Sequence, residues 1–220
     1  MPSMQDFVIA SDFDGTLKEK GEPVSQDVLN ELINLRSAGV GLILVTGRCL
    51  KELSALIDIE LFHAVVLENG ALVLMDGKLE SLAPQGWEEI RKALASKYGE
   101  GCEKVIISLP RDTVVDLKGL PEDRIRLEYN KDRLMILPSE VSKAKGLSYA
   151  LKTLAWMNRK LVCIGDGEND ESMLLLGNYR IALKNSVDKL KKVADVVVNE
   201  DDGKGFLIAI RELFGNHMNK

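Results

Sequence analysis

Short β-branched or leucine-rich runs recur along the chain with helical patterns between them, the alternation expected of an α/β domain with a mainly parallel sheet. The clearest runs are Phe7–Ala10, Val40–Val45, Ala64–Leu67, Leu161–Ile164 and Ala194–Val198. Between the first two, Val28, Leu29, Leu32, Ile33 and Leu35 form the apolar stripe of a helix over 25–37, with Ser25 placed to cap it and Gly39 just past its end. A second helix over 142–157 leads into the strand at Leu161, and a third over 205–214 is placed to cover one face of the sheet. The pattern changes in the middle of the chain. There, one helix over 87–98 is followed by candidate strands at Val105–Leu109, Thr113–Leu117, Ile125–Tyr129 and Arg133–Leu137. Strands that follow one another without helices predict an antiparallel α+β unit inserted into the α/β domain. The chain thus divides into a doubly wound core, residues 1–81 and 140–220, and an inserted unit, residues 82–139. No internal repeat or long linker interrupts either part.

Composition narrows the chemistry. With 45% apolar and 29% charged residues among 220, the chain can bury one substantial core. The longest apolar stretch, Val40–Val45, has a glycine inside it and falls far short of the roughly 20 residues of a membrane span. The N-terminal Met-Pro-Ser-Met-Gln-Asp has no basic region ahead of an apolar one. The expectation is a cytoplasmic protein with no membrane partner. Cys49, Cys102 and Cys163 are odd in number and widely spaced, which predicts reduced, mostly buried thiols rather than a disulfide framework or a tetrathiolate zinc site. His63 and His217 are too few for most histidine-centred metal clusters, and a net charge of −5 gives no sign of a nucleic-acid partner. Carboxylates, lysines and hydroxyls are left to carry any reaction, and both monomer and homodimer stay open.

Four segments place such groups at strand ends or helix starts. Asp12-Phe13-Asp14-Gly15-Thr16 closes the first strand, and aspartates two apart in an extended segment project to the same side. Their mutual repulsion is offset by a cation or a hydrogen-bonded substrate, and magnesium, which prefers hard oxygen ligands, is the natural candidate; the alternative is an acidic turn. Val45-Thr46-Gly47-Arg48 offers a hydroxyl and an amide to a phosphoryl oxygen, or else an N-capping threonine, and Arg48 suits either a phosphate or an ion pair. Lys143, in Val141-Ser142-Lys143, opens a helix where the helix dipole disfavours a cation. Such a lysine either points into an anionic site or is merely solvated. Gly165-Asp166-Gly167-Glu168-Asn169-Asp170 puts Asp166 at a strand end and Asn169 and Asp170 at a helix start, where Asp170 also suits an N-cap.

These segments, in this order and with Glu68-Asn69-Gly70-Ala71 between them, resemble the haloacid dehalogenase superfamily of phosphohydrolases over nearly the whole chain. The closer resemblance is to the Cof-like subfamily IIB branch with a C2-type cap, which includes sugar-phosphate phosphatases and archaeal phosphoglycolate phosphatases. The resemblance implies that Asp12 is a nucleophile forming an aspartyl phosphate and that Asp14 is the general acid and base. It implies that Thr46, Gly47, Lys143 and Asn169 hold the phosphoryl group. Magnesium would be bound by Asp12, the Asp14 main-chain carbonyl and Asp166, with Asp170 as a further ligand or a supporting partner. The implied substrate is a small phosphorylated metabolite, phosphoglycolate or a sugar phosphate, met by a compact cap in which Arg111, Arg124, Arg126, Lys131 and Arg133 are candidates to receive a carboxylate. Lys145 competes with Lys143, whose spacing fits better, and Lys184 departs from the pattern. The alternatives are a phosphomutase or phosphotransferase on the same scaffold and a non-catalytic phosphate-binding module.

Overall fold

The computed structural model describes residues 3–215, so Met1, Pro2 and His217 lie outside the described residues. In chain order the strands are β1 (Phe7–Ser11), β2 (Gly41–Val45), β3 (Ala64–Leu67), β4 (Leu72–Met75), β5 (Lys78–Ser81), β6 (Ile107–Pro110), β7 (Ile125–Asn130), β8 (Arg133–Pro138), β9 (Lys160–Gly165), β10 (Tyr179–Ala182) and β11 (Val196–Val197). The α-helices are α1 (Gln26–Ser37), α2 (Leu50–Ser54), α3 (Trp87–Tyr98), α4 (Lys143–Thr153), α5 (Glu171–Leu174), α6 (Asp188–Val193) and α7 (Asp202–Phe214).

Eight strands form one sheet in the order β11-β10-β9-β1-β2-β3-β4-β5, parallel from β11 to β3 and antiparallel over the β3–β4–β5 meander. The side chains of its central strands alternate between two apolar layers. Phe7, Ile9, Leu42, Leu44, Val65 and Leu67 join one, with Leu32 and Leu35 of α1 and Phe206 and Ile210 of α7. Val8, Ala10, Ile43, Val45, Ala64 and Val66 join the other, with Leu147 and Leu151 of α4 and Met173 of α5. Burial on both faces is why these strands read as unbroken apolar runs. The chain winds one way from β1 through β2 and β3, then returns to add β9 and β10 on the other side of β1. The switch point of the sheet therefore lies at the C-terminal ends of β1, β2 and β9, the usual binding position in open α/β folds.

The insertion forms a three-stranded antiparallel sheet, β6-β8-β7, with α3 packed on β6. Two of its expected strands differ. β6 starts at Ile107 because the amides of Lys104, Val105 and Ile106 donate to the buried Glu68 carboxylate instead of to a neighbouring strand. Residues 113–117 form no strand: β6 pairs only with β8, Val114 is 88% exposed, and Asp116 is tied to Lys97 and Tyr98 of α3. In the core, α4 stops at Thr153 rather than 157, because Ala155 turns left-handed (φ 56°) and Trp156 bonds back to Leu151.

The expectation of reduced thiols fails for two cysteines. Cys49, which caps α2, is disulfide-bonded to Cys102 in the insertion, 53 residues away. Folding the insertion back over the end of β2 brings them together, a proximity that spacing along the chain does not reveal. Cys163 is free and fully buried in β9, and burial pushes its thiol well above the usual range. Among the described residues no helix is long and apolar enough to cross a membrane.

Candidate active site

The strand ladders extend into the site. Asp12 follows β1, and its amide donates to the Ile164 carbonyl of β9 at 2.9 Å. Thr46 follows β2, and its amide donates to the Val66 carbonyl of β3 at 2.8 Å. Gly15, at φ 87°, then turns the chain so sharply that a β-carbon there would overlap the Asp166 carboxylate. Ser142 caps α4 by accepting the Lys145 amide, and this directs Lys143 inward while Lys145 stays outside near Glu140. Gly146 lets α4 lie close on Val66 and Gly70.

The Lys143 side chain is fully buried, with Nζ 2.5 Å from Asp12 Oδ1 and 2.5 Å from Asp170 Oδ1. Burial alone would lower its pKa, but Asp12 and Asp170 outweigh that and hold the ammonium above the ordinary lysine range. Burial, then the charges of Asp170 and Asp166, raises the Asp12 carboxyl well above the usual carboxylate range, and Lys143 only partly offsets them. Burial and Asp170 push Asp166 up to about 6 against the pull of Lys131. Asp170 closes the loop: its Oδ2 accepts the amides of Asp166 at 3.0 Å and Gly167 at 2.8 Å.

Asp12, Asp166 and Asp170 each offer a carboxylate oxygen, all within 4.8 Å of one another. Three crowded, buried carboxylates with hard oxygen donors fit a divalent cation. Asp170 gives its oxygens to Lys143 and to the Asp166 and Gly167 amides, and Asp166 accepts from Thr16, Lys131 and Asn185, so of the three only Asp12 keeps an oxygen, Oδ2, that accepts no hydrogen bond among the described residues. Asp14 is turned differently. Arg48 grips both of its oxygens, Nε to Oδ2 at 2.5 Å and Nη2 to Oδ1 at 2.9 Å, and this bond raises the Arg48 pKa. Asn169 donates to Asn69 Oδ1 at 2.9 Å, while its own buried Oδ1 has no partner among the described residues.

A pocket of about 320 Å³ is lined by Asp12, Asp14, Thr46, Gly47 and Asn169 on the core side and Ser108, Asn130, Lys131, Arg133 and Met135 on the inserted side. Of the five basic candidates in the insertion, Lys131 and Arg133 reach this wall. Arg124 bonds to the Gln85 carbonyl, Arg126 to the Val141 carbonyl, and Arg111 to Lys131 and Glu168. Lys184 points outward, 3.8 Å from Asp201, and its neighbour Asn185 does the local work by donating to Asp166 Oδ2 at 3.0 Å and to the Gly15 carbonyl at 2.7 Å. A cleft of about 350 Å³ elsewhere is lined by Lys18, Glu19, Glu22, Asp201, Asp202 and Lys204 among others, and includes none of Asp12, Asp14, Thr46, Lys143, Asp166, Asn169 and Asp170.

Two structural roles escape sequence reasoning: Glu68 holds the start of β6, and Asn69 joins Asn169 to Met135. Arg48, open between a phosphate and an ion pair, pairs with Asp14. The signal for Glu68 and Asn69 was Glu-Asn-Gly, a polar group closing an apolar strand as Asp166 does. Glu68 and Asn69 both adopt positive φ, 50° and 56°.

The sequence model for haloacid dehalogenase-like hydrolases matches residues 9–109 and 87–210. A phosphoglycolate phosphatase of Sulfurisphaera tokodaii is 28% identical, with 97% of each chain covered. Phosphoglycolate phosphatase 2 of Saccharolobus solfataricus is 27% identical, covering 98% of this chain and 95% of that one. Among solved structures, Thermoplasma acidophilum 0175 superposes with a TM-score of 0.75 at 18% identity, covering 94% of this chain and 97% of that one. A HAD subclass IIB sugar phosphatase superposes with a TM-score of 0.72 at 18% identity, covering 94% and 98%. These two likenesses are of fold.

Proposed function

The chain belongs to the haloacid dehalogenase-like hydrolases, and on that footing we propose that it is a phosphatase acting on a small phosphomonoester through an aspartyl phosphate on Asp12. The observation that carries this reading is the Asp12 carboxylate at the switch point, paired with a fully buried Lys143 at 2.5 Å and facing the same pocket as Asp14. Asp12 attacks phosphorus in line, forming its bond to phosphorus as the bond to the leaving oxygen breaks. Asp14 gives that oxygen its proton, then as carboxylate takes one from the water that attacks the intermediate, releasing phosphate and restoring Asp12. Thr46, Gly47 and Lys143 hold the phosphoryl oxygens, and Asn169 orients the loop beside them. Magnesium held by Asp12, the Asp14 carbonyl and Asp166 would offset the charge of the transferring group. Asp170 then serves chiefly to fix Lys143 and the 165–170 loop.

Residues 82–139 act as a cap over residues 1–81 and 140–220, shielding the intermediate from water and contacting the leaving group. A pocket of about 320 Å³ with Lys131 and Arg133 on its cap wall favours a small anionic substrate. The names of the two sequence relatives support phosphoglycolate as the first compound to test, with sugar phosphates second. A phosphate-release screen over small phosphorylated metabolites, with and without magnesium, tests the assignment. Metal-dependent, stoichiometric phosphate from one of them, without an isomerised sugar phosphate, is the expected result and excludes a mutase. Inert small monoesters alongside a reactive phosphoprotein would remove the small-substrate reading.

A further inference from the structure

The two-residue turn between β7 and β8 reaches from the cap into the mouth of the pocket and is held there by the core. The Lys131 amide donates to Glu168 Oε2 at 2.9 Å, Arg111 bridges the Lys131 carbonyl at 2.7 Å and Glu168 Oε1 at 3.2 Å, and Asp132 pairs with Lys20 at 2.8 Å. Lys131 itself is left-handed, φ 51°, as the favoured two-residue hairpin turns require of their first residue. From this turn its ammonium forms an ion pair with Asp166. The Asp166 side chain is 1% exposed and that of Lys131 is 36% exposed, so a cation on a half-open stem enters a closed carboxylate site. Gly15 makes the entry possible, because a β-carbon there would meet both the Lys131 ammonium and the Asp166 carboxylate.

A lysine of the cap thus sits on the carboxylate that the phosphatase reading assigns to a divalent cation. Asp12, Asp166 and Asp170 bring three negative charges, against which Lys143 and Lys131 supply two positive ones. A dication that took the Asp166 oxygen on which Lys131 rests would repel the ammonium, and the two would compete for that oxygen. Lys131 and Arg133 both line the pocket on the inserted side, so an ammonium released from Asp166 stays within reach of a group bound there. We propose that Lys131 is an exchangeable counter-ion: it occupies Asp166 while the metal is absent, and metal binding transfers it to a second anionic group carried by the leaving portion of the substrate. The inference rests on the phosphatase reading and deepens it, naming as substrate class a phosphomonoester with a carboxylate or similar anion close to the phosphate.

Two measurements without turnover test the exchange. In the wild-type protein, amine-reactive labelling of Lys131, quantified by peptide mass spectrometry, is slow without metal and rises severalfold in saturating magnesium. By calorimetry, Lys131→Met binds magnesium about tenfold more tightly than wild type. Labelling that does not respond to magnesium, or an equal or weaker affinity in the variant, overturns the proposal. A third measurement addresses the second anion. The KM of Lys131→Met for a carboxylated phosphomonoester rises about tenfold relative to its KM for an aryl phosphate, and a ratio unchanged from wild type overturns that half. The exchange readouts need no catalysis, so they fail separately from the phosphatase reading, which stands or falls on Asp12.

Discussion

Lys143 is a buried cation between two carboxylates, and its removal leaves those charges uncompensated. Lys143→Met should cost about 3–5 kcal/mol of stability at pH 7, read by urea denaturation. The deficit depends on pH in a determined direction. The Asp12 carboxyl is already raised in the folded chain, so protonation favours folding, and that contribution is present at low pH and lost as pH rises through the raised value. The variant's deficit should therefore shrink as pH falls from 7 towards 5; a deficit that grows on acidification would argue against uncompensated carboxylates. Arg48 fixes the rotamer of Asp14 through two hydrogen bonds, so Arg48→Met should lower kcat by roughly a hundredfold, with a smaller change in KM. Steady-state kinetics decides between this and a KM-only effect. At this scale, Asp12, Asp14, Thr46, Lys143, Asp166 and Asp170 were legible because each closes a strand or opens a helix. Arg48 was legible only as an open choice between phosphate and ion pair. Asn185 acts through contacts with segments distant in the chain, which no local pattern reports, and Glu-Asn-Gly marks Glu68 as a strand-end polar group without naming its partners.

The elements show how the cap is joined to the core. Glu68 accepts three backbone amides of residues 104–106, replacing the strand partner those residues lack. Glu68→Gln retains a single acceptor oxygen and turns an amide donor towards donors, for an expected loss of about 1–3 kcal/mol. Hydrogen exchange at 104–106 should quicken in that variant more than exchange in β1 or β9. The Cys49–Cys102 disulfide makes a second join. Non-reducing peptide mapping should recover the linked pair, and reduction should lower stability by about 2–4 kcal/mol. Recovery of both as free thiols from unreduced protein would refute the staple. Parallel strands were readable from apolar runs because both faces of the sheet are covered. The β4–β5 hairpin was not picked out, since β5 is a mostly exposed edge strand with little apolar content. Residues 113–117 alternate like a strand yet have no edge to pair with, a fact set by the neighbouring sheet and not by their own sequence.

Across the whole molecule, one strand order explains why chemistry gathers at one place. Motifs separated by more than a hundred residues converge because β1 lies between β2 and β9, and residues of the inserted unit line the same pocket. On the proposed function, residues 1–81 and 140–220 hold the phosphoryl group and residues 82–139 contact what is attached to it. The central claim is that the phosphoryl group passes through Asp12. An aryl phosphate with a good leaving group needs no proton from Asp14 to form the intermediate, so in Asp14→Asn the first step proceeds while hydrolysis lags. The decisive measurement is a single-turnover, acid-quenched reaction of Asp14→Asn with an aryl phosphate and magnesium, followed by peptide mass spectrometry. The account predicts a burst of phenol matched by a phosphoryl adduct on the peptide containing Asp12, with neither burst nor adduct when Asp12→Asn is added. A burst that survives Asp12→Asn, or an adduct on any other residue, would contradict it.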